Sequence, residues 1–143
     1  MPTPEELEVG DLFLRKAASD RAAAQALAAD HAQLDDVVGF HAEQAVEKAL
    51  KAVLAVRGLE IPRTHDLVLL IRLVEAGQET IPEDVKTSDW LGPWAVTMRY
   101  DEVAHGLERE RAVRVATAAV SWARELVDSW RSEHSSPSPE PLE

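Results

Sequence analysis

Residues 37–57 read Val37-Val38-Gly39-Phe40-His41-Ala42-Glu43-Gln44-Ala45-Val46-Glu47-Lys48-Ala49-Leu50-Lys51-Ala52-Val53-Leu54-Ala55-Val56-Arg57. The periodicity of this stretch decides the fold class. Ala42, Val46, Ala49, Val53 and Val56 recur at spacings of three and four, the repeat of one face of an α-helix. Leu50 and Leu54 widen that stripe. Glu47 stands four residues before Lys51, the favourable order for an ion pair along a helix. Gly58 follows Arg57, where a helix commonly stops.

On the N-terminal side, the polar run His31 to Asp36 turns the chain. Before it, Leu12, Leu14, Ala18, Ala22, Ala23, Ala26 and Leu27 predict a helix from an Asp11 cap to about Ala29. Residues 1–10 hold two prolines, three glutamates and Gly10, and are expected to be flexible. On the other side, Leu59 to Arg63 is a loop around Pro62. Thr64 is expected to cap a third helix, His65 to about Ala76, with Leu67, Leu70, Ile71 and Val74 inward. Residues 78–88 form a polar connection around Pro82. Asp89 to about Arg99 reads as a fourth helix, with Trp90, Trp94 and Met98 on one face. Tyr100 to Glu108 is a joint containing Gly106. The last helix runs from about Arg109 to Ser132 on Val113, Ala116, Val120, Ala123, Val127 and Trp130. His134 to Glu143 is rich in Ser, Pro and Glu and is expected to be disordered. No segment alternates as a strand does. The expectation is all-α: an antiparallel up-and-down bundle of about five helices over 11–133, between a flexible 1–10 and a disordered 134–143.

Composition narrows the chemistry. The 143 residues suit one domain, and 45% hydrophobic content supplies a core without staples. With no cysteine, disulfides, thiolate metal sites and cysteine nucleophiles are excluded. No apolar run approaches the ~18 residues of a membrane span, and the acidic N-terminus has no apolar signal core. A cytoplasmic location is expected. The net charge of −11 opposes broad binding to a phosphate backbone and leaves room for a local basic pocket.

Three groups of residues could carry chemistry. His41, Gln44, Lys48 and Lys51 fall on one side of the second helix at about 100° per residue. An imidazole, an amide and two ammonium groups could hold a phosphate or nucleotide there. The competing reading is a solvated helix face interspersed with Glu43 and Glu47. His65, beside Thr64 and Asp66 at a helix start, is a second candidate. Arg99 and His105 are the third. Such a pair suits metal-independent RNA cleavage, with His105 as general acid or base and Arg99 stabilising charge on the phosphate. Alternatively, Arg99 pairs with Asp101 and His105 is a loop residue. Neither a metal nor a cofactor is expected: there is no glycine-rich phosphate loop and no paired His at ligand spacing. Trp90, Trp94, Trp122 and Trp130 read as core or interface anchors.

Phe40-His41-Ala42-Glu43-Gln44-Ala45-Val46-Glu47-Lys48-Ala49-Leu50-Lys51-Ala52 closely resembles the second-helix signature of HEPN domains. Thr64-His65-Asp66-Leu67 is similar to that family's start of helix 3. Arg99-Tyr100 followed by a long closing helix fits as well, so the resemblance covers roughly residues 11 to 131. It implies a bundle of four or five helices, usually homodimeric, often encoded beside a minimal nucleotidyltransferase as a toxin–antitoxin or two-part system. Many such proteins are ribonucleases with an Arg, four to six residues, then a His. Arg99 and His105 meet that spacing. Tyr100, however, replaces the small polar residue typical after the Arg. The Arg-Tyr form looks more like a branch that binds nucleotides or assists a nucleotidyltransferase. The resemblance therefore implies either an RNase using Arg99 and His105, or a non-catalytic nucleotide-binding or structural partner using His41, Gln44, Lys48, Lys51, His65 and Tyr100.

Overall fold

The computed structural model describes residues 1–95 and 106–134. Five α-helices follow in order: α1 (Pro4–Ala28), α2 (Asp35–Val56), α3 (Leu67–Ala76), α4 (Glu83–Lys86) and α5 (Arg109–His134). A 3₁₀ segment, Ser88–Ala95, lies between α4 and α5. No strand occurs among the described residues, and no described helix is long and apolar enough to cross a membrane.

Helix α2 is the axis of the bundle. It packs against α1, α5, α3 and the 3₁₀ segment. All of its stripe residues, from Ala42 to Val56, are buried, with Leu50 and Leu54. Leu67, Leu70, Ile71 and Val74 of α3 and Ala116, Val120, Ala123 and Val127 of α5 close over it. The neighbouring α1 presents Ala17 and Ala24, which let two backbones approach closely. The end of α2 is a Schellman motif: Leu59 N–H donates to Leu54 O and Gly58 N–H to Ala55 O, each at 3.0 Å. Gly58 has φ +67°, a conformation that favours glycine.

Three expectations at helix ends need correction. Helix α1 begins at Pro4, not at Asp11. Thr3 and Glu6 form a capping box, with Glu6 N–H donating to Thr3 Oγ1 at 3.1 Å and Thr3 N–H to Glu6 Oε2 at 3.4 Å. Pro4 occupies the first helical position, where no amide donor is needed. Gly10 is buried against the end of α2; a Cβ there would come within 2.7 Å of Val56 Cγ1. Asp11 lies inside the helix and pairs with Arg131 of α5. Secondly, α3 is capped by Asp66 rather than Thr64: Asp66 Oδ1 accepts from Val68 N–H at 3.0 Å and Leu69 N–H at 3.3 Å. Thr64 Oγ1 accepts from Asp66 N–H and so holds the cap itself. Finally, the segment from Ser88 is 3₁₀, not α, up to Ala95. Pro93 inside it has no amide to donate, and Gly92 before it is a poor helix former. The remainder of that expected fourth helix lies outside the described residues, as does the expected tail beyond His134.

Arg109, at the start of α5, clasps the turn between α1 and α2. Its Nε lies 2.7 Å from Asp35 Oδ1. Its Nη1 reaches the carbonyls of Leu27, Ala28 and Asp30, and its Nη2 that of Gln33. A guanidinium placed on the carbonyl end of α1 also complements that helix's dipole. The tryptophans serve as packing anchors: Trp90, Trp94, Trp122 and Trp130 all sit half-buried against the core. Trp94 lies directly over Gly39 of α2.

Candidate functional site

The polar residues of α2 are built into a network. On the side facing α1, Asp20 meets two nitrogen partners. Lys48 Nζ donates to its Oδ2 at 2.6 Å, and His41 Nδ1 lies 2.9 Å from its Oδ1. One turn further along α2, Lys51 Nζ donates to Glu47 Oε1 at 2.7 Å. His65, arriving from the loop before α3, places Nδ1 3.0 Å from both Glu47 oxygens. Between them the Gln44 amide donates to Glu43 Oε2 at 2.8 Å and to Glu47 Oε2 at 2.9 Å. The four positions on this side of α2 divide between two groups: His41 and Lys48 on Asp20, and Gln44 and Lys51 on Glu47, which His65 joins.

The expectation of a solvated face interspersed with Glu43 and Glu47 is overturned. Glu43 is 0% exposed and Glu47 only 2%, because neighbouring elements cover α2 on more sides than its apolar stripe alone. Glu43 Oε1 has no hydrogen-bond partner. Burial, reinforced by repulsion from Glu47, pushes the Glu43 carboxyl up to about 8, with the Gln44 amide opposing. Burial would also raise Glu47, but the hydrogen bonds from Lys51 and His65 outweigh it and hold Glu47 below the ordinary carboxylate range. The pair thus divides its roles: Glu43 carries a proton at neutral pH and Glu47 carries charge. Leaving aside the two imidazoles, Asp20 and Glu47 balance Lys48 and Lys51. The most exposed of these side chains is His65, at 70%.

Sequence reading missed Asp20. A signal was available: Asp20 falls three residues after Ala17 and four before Ala24, on the face of α1 that packs inward. An acid on such a face needs a cation from its neighbour. Arg99, Tyr100 and His105 lie outside the described residues. The described residues that flank them, Trp94 on one side and Gly106 and Leu107 on the other, line one depression of about 130 Å³. Trp90, Glu108 and Arg111 complete it. The Arg111 guanidinium stands 4.5 Å from the centre of the Trp90 ring, a cation–π contact that fixes it at the rim. Among the described residues no three His, Asp or Glu side chains converge so as to hold a metal ion.

Comparison with curated proteins and with solved structures gave no significant match. The HEPN domain family matches residues 11–131. That span covers most of the chain, including α2, α3 and nearly all of α5. The chain belongs to the HEPN domain family.

Proposed function

We propose that this protein is the HEPN component of a two-part, toxin–antitoxin type system. In this reading it works in the cytoplasm as a homodimer beside a minimal nucleotidyltransferase and cleaves RNA without a metal. The observation that carries the reading is the family match, whose span of residues 11–131 includes Arg99 and His105. The rigid surroundings also suit it. The described residues on either side of residues 96–105 line one depression, with Arg111 at its rim.

The chemistry follows from the two side chains. His105 takes the proton of a ribose 2′-hydroxyl, whose oxygen attacks the adjacent phosphorus. A proton returned to the departing 5′-oxygen completes the cleavage, leaving a 2′,3′-cyclic phosphate. Arg99 stabilises the charge that develops on the phosphate oxygens. Incubation of purified protein with total RNA and a chelator tests this. Cleavage is expected, and Arg99→Ala and His105→Ala should each abolish it. Cleavage that survives in His105→Ala defeats the assignment. Light scattering tests the dimer, and a monomer at micromolar concentration would count against it.

A second reading has one observation behind it: the exposed His65 shares Glu47 with the Lys51 ammonium. It makes the protein a non-catalytic, nucleotide-binding or structural partner of a nucleotidyltransferase. His41, Gln44, Lys48, Lys51, His65 and Tyr100 would form the nucleotide site. A phosphate would then have to displace Asp20 or Glu47 from Lys48 or Lys51. Calorimetry with ATP decides it: binding weakened by Lys48→Ala and Lys51→Ala supports the reading, and no heat from the parent protein ends it.

A further inference from the structure

At the far end of α2 from the Gly39–Trp94 contact, a groove of about 450 Å³ opens between α1 and the loop after α2. Its apolar lining is Val9, Ala55, Leu59 and Ile61. Val9 and Leu59 are exposed there, at 39% and 38%. Its acidic residues are Glu5 and Glu6 from α1 and Glu60 from the loop. No lysine, arginine or histidine lines it, and none of the three carboxylates makes an ion pair among the described residues.

The local cation is held elsewhere. Arg57, at the C-terminus of α2, points its guanidinium to Glu79 at 3.3 Å and to the Gly77 carbonyl, over the ring of Trp130. The negative end of the 22-residue helix α2 therefore adds to Glu60, while the amide end of α1 offsets only part of the charge of Glu5 and Glu6. The walls are rigid. The capping box fixes the first turn of α1, the Gly10–Val56 contact locks that turn onto α2, and the Schellman turn fixes Gly58 and Leu59. Glu5, Glu6 and Val9 also precede the span matched by the HEPN family, so this groove is partly a feature of this chain's own N-terminal turns.

We infer that this groove docks a partner-protein segment in which apolar side chains are flanked by lysine or arginine. Charge complementarity selects the occupant. A simple cation would leave Val9, Leu59 and Ile61 uncovered, and a neutral apolar segment would leave the carboxylates facing it without partners. A second copy of this chain, with its own charge of −11, is a poorer match for an acidic groove than a basic segment, and the homodimer proposed above does not call on this groove. A basic amphipathic segment satisfies both the lining and the rim, and the preformed walls need little reordering to receive it.

The test is a titration of the isotope-labelled full chain, followed by NMR, with a blocked peptide Lys-Leu-Arg-Ala-Lys-Leu. A second peptide, with serine in place of each leucine, is the charge-only control. Saturable shifts are expected at the amides of Val9, Gly58 and Leu59. The serine peptide should bind about tenfold more weakly, as should the leucine peptide to Glu5→Lys/Glu60→Lys. Val9→Ser should weaken binding while leaving the charge unchanged. If the lysine variant melts early, Glu5→Gln/Glu60→Gln replaces it, with a smaller loss expected. Three results would overturn the inference: no shifts at the groove, equal binding of the two peptides, or undiminished binding to the folded charge variants.

Discussion

The middle and the C-terminal end of helix α2 treat charge in opposite ways. In the middle, Asp20, Glu47, Lys48 and Lys51 are largely buried and paired, Lys48 with Asp20 and Lys51 with Glu47. At its C-terminus, Glu5, Glu6 and Glu60 line an open groove with no basic residue among its lining. Buried charge without a partner is costly, so the first arrangement exists only because each charged group has an opposite neighbour. Exposed charge without a partner costs little in water. The middle of α2 is therefore a structural element whose ions fix how α1, α2 and the His65 loop fit together. The groove leaves its charges available to something outside the chain.

The largest expected effect comes from Glu47→Gln. Lys51 and His65 lose the charge they share while the side-chain shape stays the same. Unfolding in urea should show a loss of about 3 kcal/mol. A loss below about 1 kcal/mol would mean that the cluster does not hold the fold together. Asp20→Ala comes next. It strands Lys48 and His41, which are less deeply buried than Lys51, and should cost about 2 kcal/mol. Lys48→Met made in the Asp20→Ala background should recover part of that loss. No recovery would show that the pair is not the source of the cost.

Glu43 gives the contrast a pH dependence. Its folded-state value is raised from 4.5 to about 8. The stability this proton contributes is full below the unfolded value and is lost as pH rises towards the folded one. The loss should run at roughly 1 kcal/mol per pH unit between about pH 5 and pH 8. Glu47 has the opposite sign. Its value is lowered, so its contribution is present above the ordinary carboxylate value and fades as pH falls through its folded value. Glu43→Gln keeps the neutral shape and removes the titration. Its stability relative to the parent should rise steadily over that window when compared by urea denaturation at several pH values. A constant difference between the two proteins would place the proton elsewhere.

Much of the frame was legible in the residues. The stripe Ala42 to Val56 identified the central helix because apolar contact repeats every three to four residues, and α3 and α5 were readable for the same reason. Glu43 and Glu47 were not readable as core residues. Periodicity sends charge outward by default, whereas α2 is covered well beyond its apolar stripe. Asp20 meets Lys48 from 28 positions away, and Arg109 meets Asp35 from 74. Spacing along one helix carries no trace of such pairings. The start of α1 is a different case. Thr3-Pro4-Glu5-Glu6 spells a capping box, and its proline and glutamates suit a first turn, although the same residue types also mark flexible termini. The Arg99–His105 spacing was legible, but it lies beyond the described residues.

The smallest effects belong to the groove, and there the sign matters more than the size. Glu5 sits in the first turn of α1, where a negative charge complements the exposed amides. Glu60 lies just beyond the carbonyl end of α2, where a negative charge opposes the dipole. Glu5→Gln should therefore lower stability by a few tenths of a kcal/mol, and Glu60→Gln should raise it by a similar amount. The double variant should melt with the parent. Careful calorimetry at low salt can read such differences, and added salt should shrink both. If both substitutions destabilised by about 1 kcal/mol or more, the groove's carboxylates would be part of the fold's own charge pairing. The middle and the C-terminal end of α2 would then not differ in kind.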